Sequence, residues 1–358
     1  MTVKLQPNWP PLVTAFNLTG EFVSAAPYGS GHINDTFALT IAVDGESVRY
    51  IYQRINEHVF KDIPALMDNI ARVTAHIPGG LTLIPCVDGL PFARDADNAY
   101  WRCYVFIEKA STHDIVEHAS QARAAAFSFG EFQEKLVDLP GPRLNETILN
   151  FHHTRSRFNT LQDAIAADTH QRVSEIGDDV EFALSREAMV DRLIDRTARG
   201  EIPERITHND TKINNVMIND ATGEGEAVID LDTVMPGLVL YDFGDMVRTA
   251  TNAAAEDETD LSKVEARMEI FDALAEGYLA AARKFLDPAE IEELEFSGRL
   301  ITFEIGLRFL TDHLQGDVYF KTHRSNHNLE RARCQFALVR NLEANSETLR
   351  GIIADRLK

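Results

Sequence analysis

Apolar, β-branched and aromatic side chains predominate along residues 37–43 and recur along residues 47–52, with Asp44 and Gly45 between the two stretches. Short stretches of this composition, bounded by turn residues, are typical of strands. Asp-Gly is a preferred pair at the tip of a two-residue hairpin. The pattern therefore predicts an antiparallel hairpin in the first part of the chain.

The apolar period becomes helical at residues 63–77 and then returns to that of strands, at 81–87 and 100–107. One face of the predicted helix carries Leu66, Ile70 and Val73. Residues 1–108 are thus expected to form a small antiparallel β lobe with one main helix.

Residues 109–358 show mostly helical periodicity, which predicts a larger, mainly helical lobe and an α+β protein of two lobes. The predicted helices lie at 120–139, at two places within 144–175, and at 179–198, 243–253, 260–285 and 288–315. The final segment, 328–357, is amphipathic and is expected to pack on the large lobe. Ser120 is the expected N-cap of the first of these helices, and Pro140 ends it. The sequence Asp287-Pro-Ala-Glu290 predicts a capping box with proline at the first helical position.

Two short apolar stretches, 216–218 and 227–229, interrupt the helical pattern and enclose a turn-rich loop. They predict a second hairpin. A tight hairpin returns the chain to its starting point, so residue 230 is expected to lie beside residue 215.

Candidate chemistry surrounds this hairpin, in the order H-x-D-x-K-x-x-N followed by I-D. Phosphotransferases with a kinase-like fold use this order to place a base and two magnesium ligands around a γ-phosphate. Asp210 is the predicted base, and Lys212 is predicted to reach the transferring phosphoryl group. Asn215 and Asp230 are the predicted Mg²⁺ ligands, because Mg²⁺ prefers a few oxygen ligands and substrate phosphates.

The chain has 358 residues, with 35 basic against 56 acidic side chains and a formal net charge of −21. This charge argues against nucleic acid or an anionic membrane as a partner. Three scattered cysteines predict reduced, buried thiols rather than a metal site. The N-terminal residues lack an apolar signal region, and no apolar stretch approaches the roughly 20 residues of a membrane span. We expect a cytoplasmic protein.

Six segments resemble the aminoglycoside phosphotransferase and choline kinase superfamily, whose fold is that of the protein kinases. They begin at Pro27 (PYGSGHIN), Trp101 (WRCYVFIE), Thr207 (THNDTK), Ile229 (IDLDTVMPG), Tyr241 (YDFGD) and Gly306 (GLRF). The sequences of the segments that begin at Pro27 and Thr207 are most similar to those of the N-acetylhexosamine 1-kinase family. That resemblance implies transfer of the ATP γ-phosphate to the anomeric hydroxyl of N-acetylglucosamine or N-acetylgalactosamine.

The resemblance also assigns residues to the nucleotide. Tyr28, Gly29 and Gly31 belong to the glycine turn expected to cover the phosphates, where glycine lets backbone amides approach closely. Phe106, Ile107 and Glu108 lie where the small lobe passes into the large one, and they are expected to hold adenine.

A further set of residues is assigned to the acceptor sugar. It comprises His32, Asn34, Asp210, Asp230, Arg308 and Tyr319. From the residues alone, Arg308 is equally consistent with a buried ion pair with Glu304 or Asp312, and Tyr319 with ordinary packing.

One departure concerns the lysine that kinases carry on the third strand and pair with a helix glutamate. The corresponding strand here has Gln53 followed by Arg54, and the next helix offers Asp68 and Asn69. Arg54 is a candidate to replace this lysine in binding the nucleotide phosphates. The alternative is that magnesium and the glycine turn bind the phosphates without it.

Two other carboxylates adjoin the expected site. Asp242 is expected to brace the catalytic loop or to cap its own helix. Asp232 is a weaker metal candidate than Asp230, because Asp230 directly follows the apolar strand.

Two alternatives stay open on the sequence. The acceptor could be choline, an amino alcohol or an aminoglycoside, or the chain could bind nucleotide without catalysis. The sequence decides neither the sugar epimer nor the oligomeric state.

Overall fold

The computed structural model describes residues 7–29, 31 and 33–358. These residues form a small β lobe followed by a larger helical lobe, as expected from the sequence. The small lobe contains α1 (Trp9–Ala15), β1 (Glu21–Pro27), β2 (Asp35–Val43), β3 (Glu46–Arg54), α2 (Ile63–His76), β4 (Leu83–Ile84), β5 (Ala93–Arg94) and β6 (Tyr100–Val105).

The small lobe is built on an antiparallel sheet with the order β1-β2-β3-β6-β4, and β5 also pairs with β6. The predicted hairpin is confirmed, since Asp44 and Gly45 have φ values of 52° and 87° at the turn between β2 and β3. In the register of the sheet, Gln53 of β3 lies between Thr36 of β2 and Arg102 of β6.

The two faces of this sheet contact different parts of the protein, because successive side chains of a strand point to opposite sides. One face buries Phe37, Tyr52 and Trp101 against Phe16, which directly follows α1. The other face carries Gln53 and turns toward α2 and the large lobe.

The large lobe contains two short sheets and nine helices within the described residues. They are β7 (Ala110–Ser111), α3 (Ala119–Leu136), α4 (Thr154–Ala167), α5 (Gly177–Leu184), α6 (Arg192–Ala198), β8 (Arg205–Thr207), β9 (Val216–Asn219), β10 (Gly225–Val228), β11 (Met235–Gly237), α7 (Val239–Thr251), α8 (Met268–Ala282), α9 (Pro288–Leu314), α10 (His327–Ala344) and α11 (Ser346–Arg356).

Helices α3, α7, α8 and α9 enclose the core of the large lobe, and the β9–β10 hairpin packs on α3. The approach of α3 to α8 requires a residue without a side chain at Gly277, where a Cβ would lie 2.1 Å from the carbonyl oxygen of Arg123. The Asp287–Glu290 capping box of α9 is confirmed. All three cysteines are buried and unpaired.

Several helix boundaries differ from the prediction. Helix α3 begins at Ala119 with His118 rather than Ser120 as its N-cap. The predicted helix 179–198 is interrupted between α5 and α6. The amphipathic final segment forms two helices that meet at Asn345.

The segment 144–153 contains no helix because its polar side chains bind other parts of the protein. Nδ2 of Asn145 donates to the side-chain oxygen of Asn69 of α2, and Nε2 of His152 contacts the carbonyl oxygen of Asn209 in the catalytic loop. Over the part of the chain that the structure describes, no helix has both the length and the apolar character needed to cross a membrane.

Candidate active site

The catalytic loop, residues 207–215, is supported by a buried carboxylate of α7. Asp242 accepts hydrogen bonds from the backbone amides of His208 at 2.9 Å and Asn209 at 2.7 Å. Burial raises the pKa of Asp242, and the hydrogen bonds it accepts partly oppose this shift. The expectation that Asp242 braces the loop is confirmed.

Asn209 adopts the left-handed conformation, with φ of 65°, directly before the predicted base. Its carbonyl oxygen accepts a hydrogen bond from Nε2 of His152 at 3.0 Å. Nδ1 of His152 lies 2.9 Å from a carboxylate oxygen of Glu304, and Thr154 donates to the other oxygen at 2.6 Å. Burial lowers the pKa of His152, but Glu304 outweighs this and holds it above the ordinary value. Sequence analysis missed this pair, since 152 positions separate the two residues.

Asp210 lies between a cation and an amide. Nζ of Lys212 lies 3.0 Å from Oδ1 of Asp210. Nδ2 of Asn215 donates to the carbonyl oxygen of Asp210 at 2.8 Å and lies 3.4 Å from its carboxylate. Burial would raise the pKa of Asp210, but Lys212 outweighs it, so the pKa is below the ordinary value. Asp210 is therefore ionised at neutral pH, as a base must be.

The β9–β10 hairpin brings Asp230 to the same place. The amide of Ile229 donates to the carbonyl oxygen of Asn215 at 2.9 Å, so the predicted proximity is confirmed. Desolvation by the surrounding protein, with the carboxylates of Asp232 and Asp210, raises the pKa of Asp230 to about 6. A cation beside Asp230 would relieve this repulsion.

Asp232 is committed to a different contact. It is buried and forms an ion pair with Arg102, while Asn34 donates to its other oxygen at 2.6 Å. Nε of Arg102 donates to Gln53 at 2.9 Å. Arg102 therefore joins the sheet of the small lobe to the segment after the catalytic hairpin. The signal in the sequence that could have indicated this contact is Arg102 itself, a charged residue inside the otherwise apolar strand β6.

Arg54, the candidate replacement for the strand lysine, is placed differently. It follows Gln53, so it lies on the face of the sheet away from the cleft. Its guanidinium is 3.8 Å from the carboxylate of Asp35. This placement does not support the assignment of Arg54 to the nucleotide, because Arg102 of β6, and not Arg54, lies beside Gln53 on the cleft face.

The residues predicted to bind the nucleotide meet where the lobes join. The ring of Tyr28 lies 5.3 Å from that of Phe106, and Arg49 stacks on Phe106 with Cζ 3.8 Å from its centre. Arg49 also binds the side chain of Glu108. This leaves the backbone of 106–108, rather than the carboxylate, as the group suited to adenine.

The glycine turn is only partly described. Gly29 has φ of 77°, which favours glycine, and the positions of Gly29 and Gly31 are open on the side where a Cβ would lie. His32, predicted to bind the sugar, lies outside the described residues. Ile107 continues the half-buried segment after β6.

Arg308 and Tyr319, also predicted to bind the sugar, lie together. Cζ of Arg308 lies 5.6–5.9 Å from three ring centres, those of Phe151, Tyr319 and Phe320. The alternative of an ion pair is wrong: within the described residues, the side chain of Arg308 forms no salt bridge. Phe151 adjoins His152, so this cluster lies close to the catalytic loop.

A cavity of about 370 Å³ lies on another side of the same loop, lined by Asn209, His152, Tyr241 and Met235 among others. Neither Asp210 nor Asp230 lines it. Because the reacting groups lie outside this cavity, we place the candidate site in the cleft between the lobes.

No group of three or more Asp, Glu, His or Cys side chains forms a metal site within residues 7–29, 31 and 33–358. Asp230 and the amide oxygen of Asn215 nevertheless suit Mg²⁺, which needs only one or two protein ligands when phosphates supply others. The neighbouring carboxylates that raise the pKa of Asp230 support this fit.

The two lobes, the braced loop and the carboxylates in the cleft define a kinase-like phosphotransferase. A family model described as the phosphotransferase enzyme family matches residues 24–294. The chain belongs to this family and is a small-molecule phosphotransferase.

Solved structures show the same fold at low sequence identity. An aminoglycoside phosphotransferase from Alicyclobacillus acidocaldarius has a TM-score of 0.63 at 11% identity, over 99% of this chain and 98% of that one. A spectinomycin phosphotransferase in complex with ADP and spectinomycin has a TM-score of 0.59 at 14% identity, over 96% and 99%. A microcompartment-associated aminopropanol kinase has a TM-score of 0.58 at 14% identity, over 95% and 97%.

Proposed function

We propose that this enzyme uses ATP and Mg²⁺ to phosphorylate the anomeric hydroxyl of N-acetylglucosamine or N-acetylgalactosamine. Asp210 accepts the proton of that hydroxyl as its oxygen attacks the γ-phosphorus, the bond to the bridging oxygen breaks and ADP leaves. Lys212 stabilises the charge on the transferring group. Asn215 and Asp230 hold Mg²⁺, which neutralises negative charge on the phosphates when bound.

The nucleotide would bind between the lobes. Tyr28, Gly29 and Gly31 cover the phosphates, and the backbone of 106–108 holds adenine. Arg102 supports nucleotide binding indirectly, because its ion pair with Asp232 fixes the segment that positions Asp230. The lobe boundary at Glu108 and a cytoplasmic location stay predictions.

The observation that carries the choice of acceptor is the environment of Arg308. A cationic acceptor such as choline or an aminoglycoside needs carboxylates or open aromatic rings. Here the rings surround an arginine, and the neighbouring carboxylate of Glu304 is fully buried and already bound to His152 and Thr154. A neutral, hydroxylated acceptor that takes hydrogen bonds from Arg308 fits this environment. Asn34 and His32 stay predicted contacts of the sugar.

The test is turnover of ATP and Mg²⁺ with a panel of acceptors: N-acetylglucosamine, N-acetylgalactosamine, glucose, choline, 1-amino-2-propanol and spectinomycin. We expect the two N-acetylhexosamines to give the highest kcat/KM. Asp210→Asn is the control for contaminating kinases and should lose that turnover. Preferential turnover of a cationic acceptor would contradict the proposal.

A further inference from the structure

Arg157 and Arg308 both contact Phe151, which adjoins His152 beside the catalytic loop, and neither has an acidic partner among the described residues. Arg308 forms no salt bridge or hydrogen bond within the described residues. Arg157, on α4, forms no salt bridge there either, and its buried Nε has no hydrogen-bond partner. Its Nη2 donates only to the carbonyl oxygens of Asn150 and Phe151, at 3.1 and 3.0 Å.

This arrangement differs from that of neighbouring arginines. Arg155, two positions earlier on the same helix, is paired with Asp191 and Glu187. Arg172, which follows α4 in the chain, is paired with Asp317. The chain has a surplus of acidic residues, so the lack of a carboxylate paired with Arg157 or Arg308 among the described residues is a local feature rather than a consequence of composition.

The two carboxylates on the same stretch of α9 are engaged elsewhere. Glu304 is bound to His152 and Thr154. Both oxygens of Asp312 accept hydrogen bonds, three from the backbone amides of 318–320 and one from an asparagine side chain. The residues that the structure does not describe are 1–6, 30 and 32, and none of them is acidic.

The two guanidinium groups affect each other. Burial, and then the positive charge of Arg308, lowers the pKa of Arg157, and Glu304 only partly opposes this. Two guanidinium groups that share a partly desolvated site repel each other, and this is unfavourable unless an anion binds between them. The planar guanidinium group, which can donate two parallel hydrogen bonds, matches the geometry of a carboxylate.

We propose that Arg157 and Arg308 form a subsite for a carboxylate carried by the acceptor. Phe151, Tyr319 and Phe320 flank Arg308 and restrict its side chain, which favours a fixed orientation for the bound group. The inference rests on the proposed function, because it takes the acceptor to bind beside Arg308. It adds that sugars with an acidic substituent bind more tightly than their uncharged counterparts.

The experiment compares N-acetylmuramic acid with its methyl ester, which has the same sugar but no charge. Binding is measured by calorimetry at low salt, so that turnover is not required. We expect the acid to bind about tenfold or more tightly than the ester, as hydrogen bonds to a charged group suggest. The preference should shrink as salt is added.

Four variants locate the effect. Arg157→Met and Arg308→Met should each bring the two ligands to within about twofold of each other. Arg340→Met is the matched control, since Arg340 also stacks on an aromatic ring, with Cζ 4.3 Å from the ring centre of Phe182, but lies on α10. It should keep the full preference. Because Arg157 also holds two carbonyl groups, Arg157→Lys is a second variant that should retain part of the preference.

Equal binding of acid and ester by the wild type would overturn the subsite. So would a preference for the acid that persists in both Arg157→Met and Arg308→Met. Stronger binding of N-acetylglucosamine 6-phosphate than of N-acetylmuramic acid would assign the pair to phosphate and overturn the carboxylate. Turnover of N-acetylglucosamine without any acid preference would remove the subsite and leave the proposed function intact. Acid preference without turnover of any N-acetylhexosamine would support the subsite and reject the function.

Discussion

We expect the buried ion pair formed by His152 and Glu304 to make a large contribution to the free energy of unfolding. Glu304→Gln removes the charge but keeps the size of the side chain. Glu304 is fully buried and His152 nearly so, and each forms two hydrogen bonds. Removing one partner of a buried ion pair costs about 3–5 kcal/mol. Because glutamine keeps one acceptor oxygen, we expect about 3 kcal/mol, or a fall in Tm of roughly 5 °C.

The cost should depend on pH with a definite sign. The pKa of His152 is raised above 6.5 in the folded protein, so its contribution is complete below 6.5 and lost as pH rises through the folded value. The pKa of Glu304 is lowered below 4.5, so its contribution is present above 4.5 and lost as pH falls through the folded value. The loss on Glu304→Gln should therefore be largest between about pH 5 and 6.5 and smaller at pH 9.

The assay is urea denaturation of the wild type and Glu304→Gln at pH 6 and pH 9. Thr154→Val is the control, because it removes one hydrogen bond to Glu304 without removing a charge, and its effect should vary little over this range. A double-mutant cycle with His152→Gln isolates the coupling between the two residues. A loss below about 1 kcal/mol at pH 6, or an equal loss at both pH values, would refute the ion pair.

Three further predictions concern the cleft. Asp210→Asn should lower kcat by roughly 10²–10⁴ while leaving the Kd for ATP nearly unchanged, and normal turnover would reject the base. Asp230→Ala should abolish Mg²⁺-dependent turnover and Mg²⁺-dependent nucleotide binding, both checked by Mg²⁺ titration; unchanged Mg²⁺ dependence would reject the ligand. Arg102→Met should raise the KM for ATP by about tenfold or more, because it leaves Asp232 buried without its cation. Arg54→Met is the matched control from the other face of the sheet, and equal effects of the two would contradict the account.

The sequence was sufficient for features set by local patterns. The turn at Asp44-Gly45, the capping box before α9 and the hairpin that returns Asp230 to Asn215 all depend on neighbouring residues. Contacts between distant segments were not accessible in the same way. The pairing of Arg102 with Asp232 depends on how the two lobes meet, and His152 is fixed by Glu304 from another helix.

The difference at Arg54 follows from the same limit. Arg54 is adjacent to Gln53 in sequence, but the alternation of the strand turns it away from the cleft.

The most direct test of the central claim is the position of the phosphate in the product. The product of ATP, Mg²⁺ and N-acetylglucosamine can be analysed by proton-coupled phosphorus NMR, which reports the sugar proton nearest the phosphorus. The account predicts one phosphomonoester coupled to the anomeric proton, absent with Asp210→Asn. Coupling to the C6 methylene protons, or phosphorylation of choline without any sugar product, would contradict it.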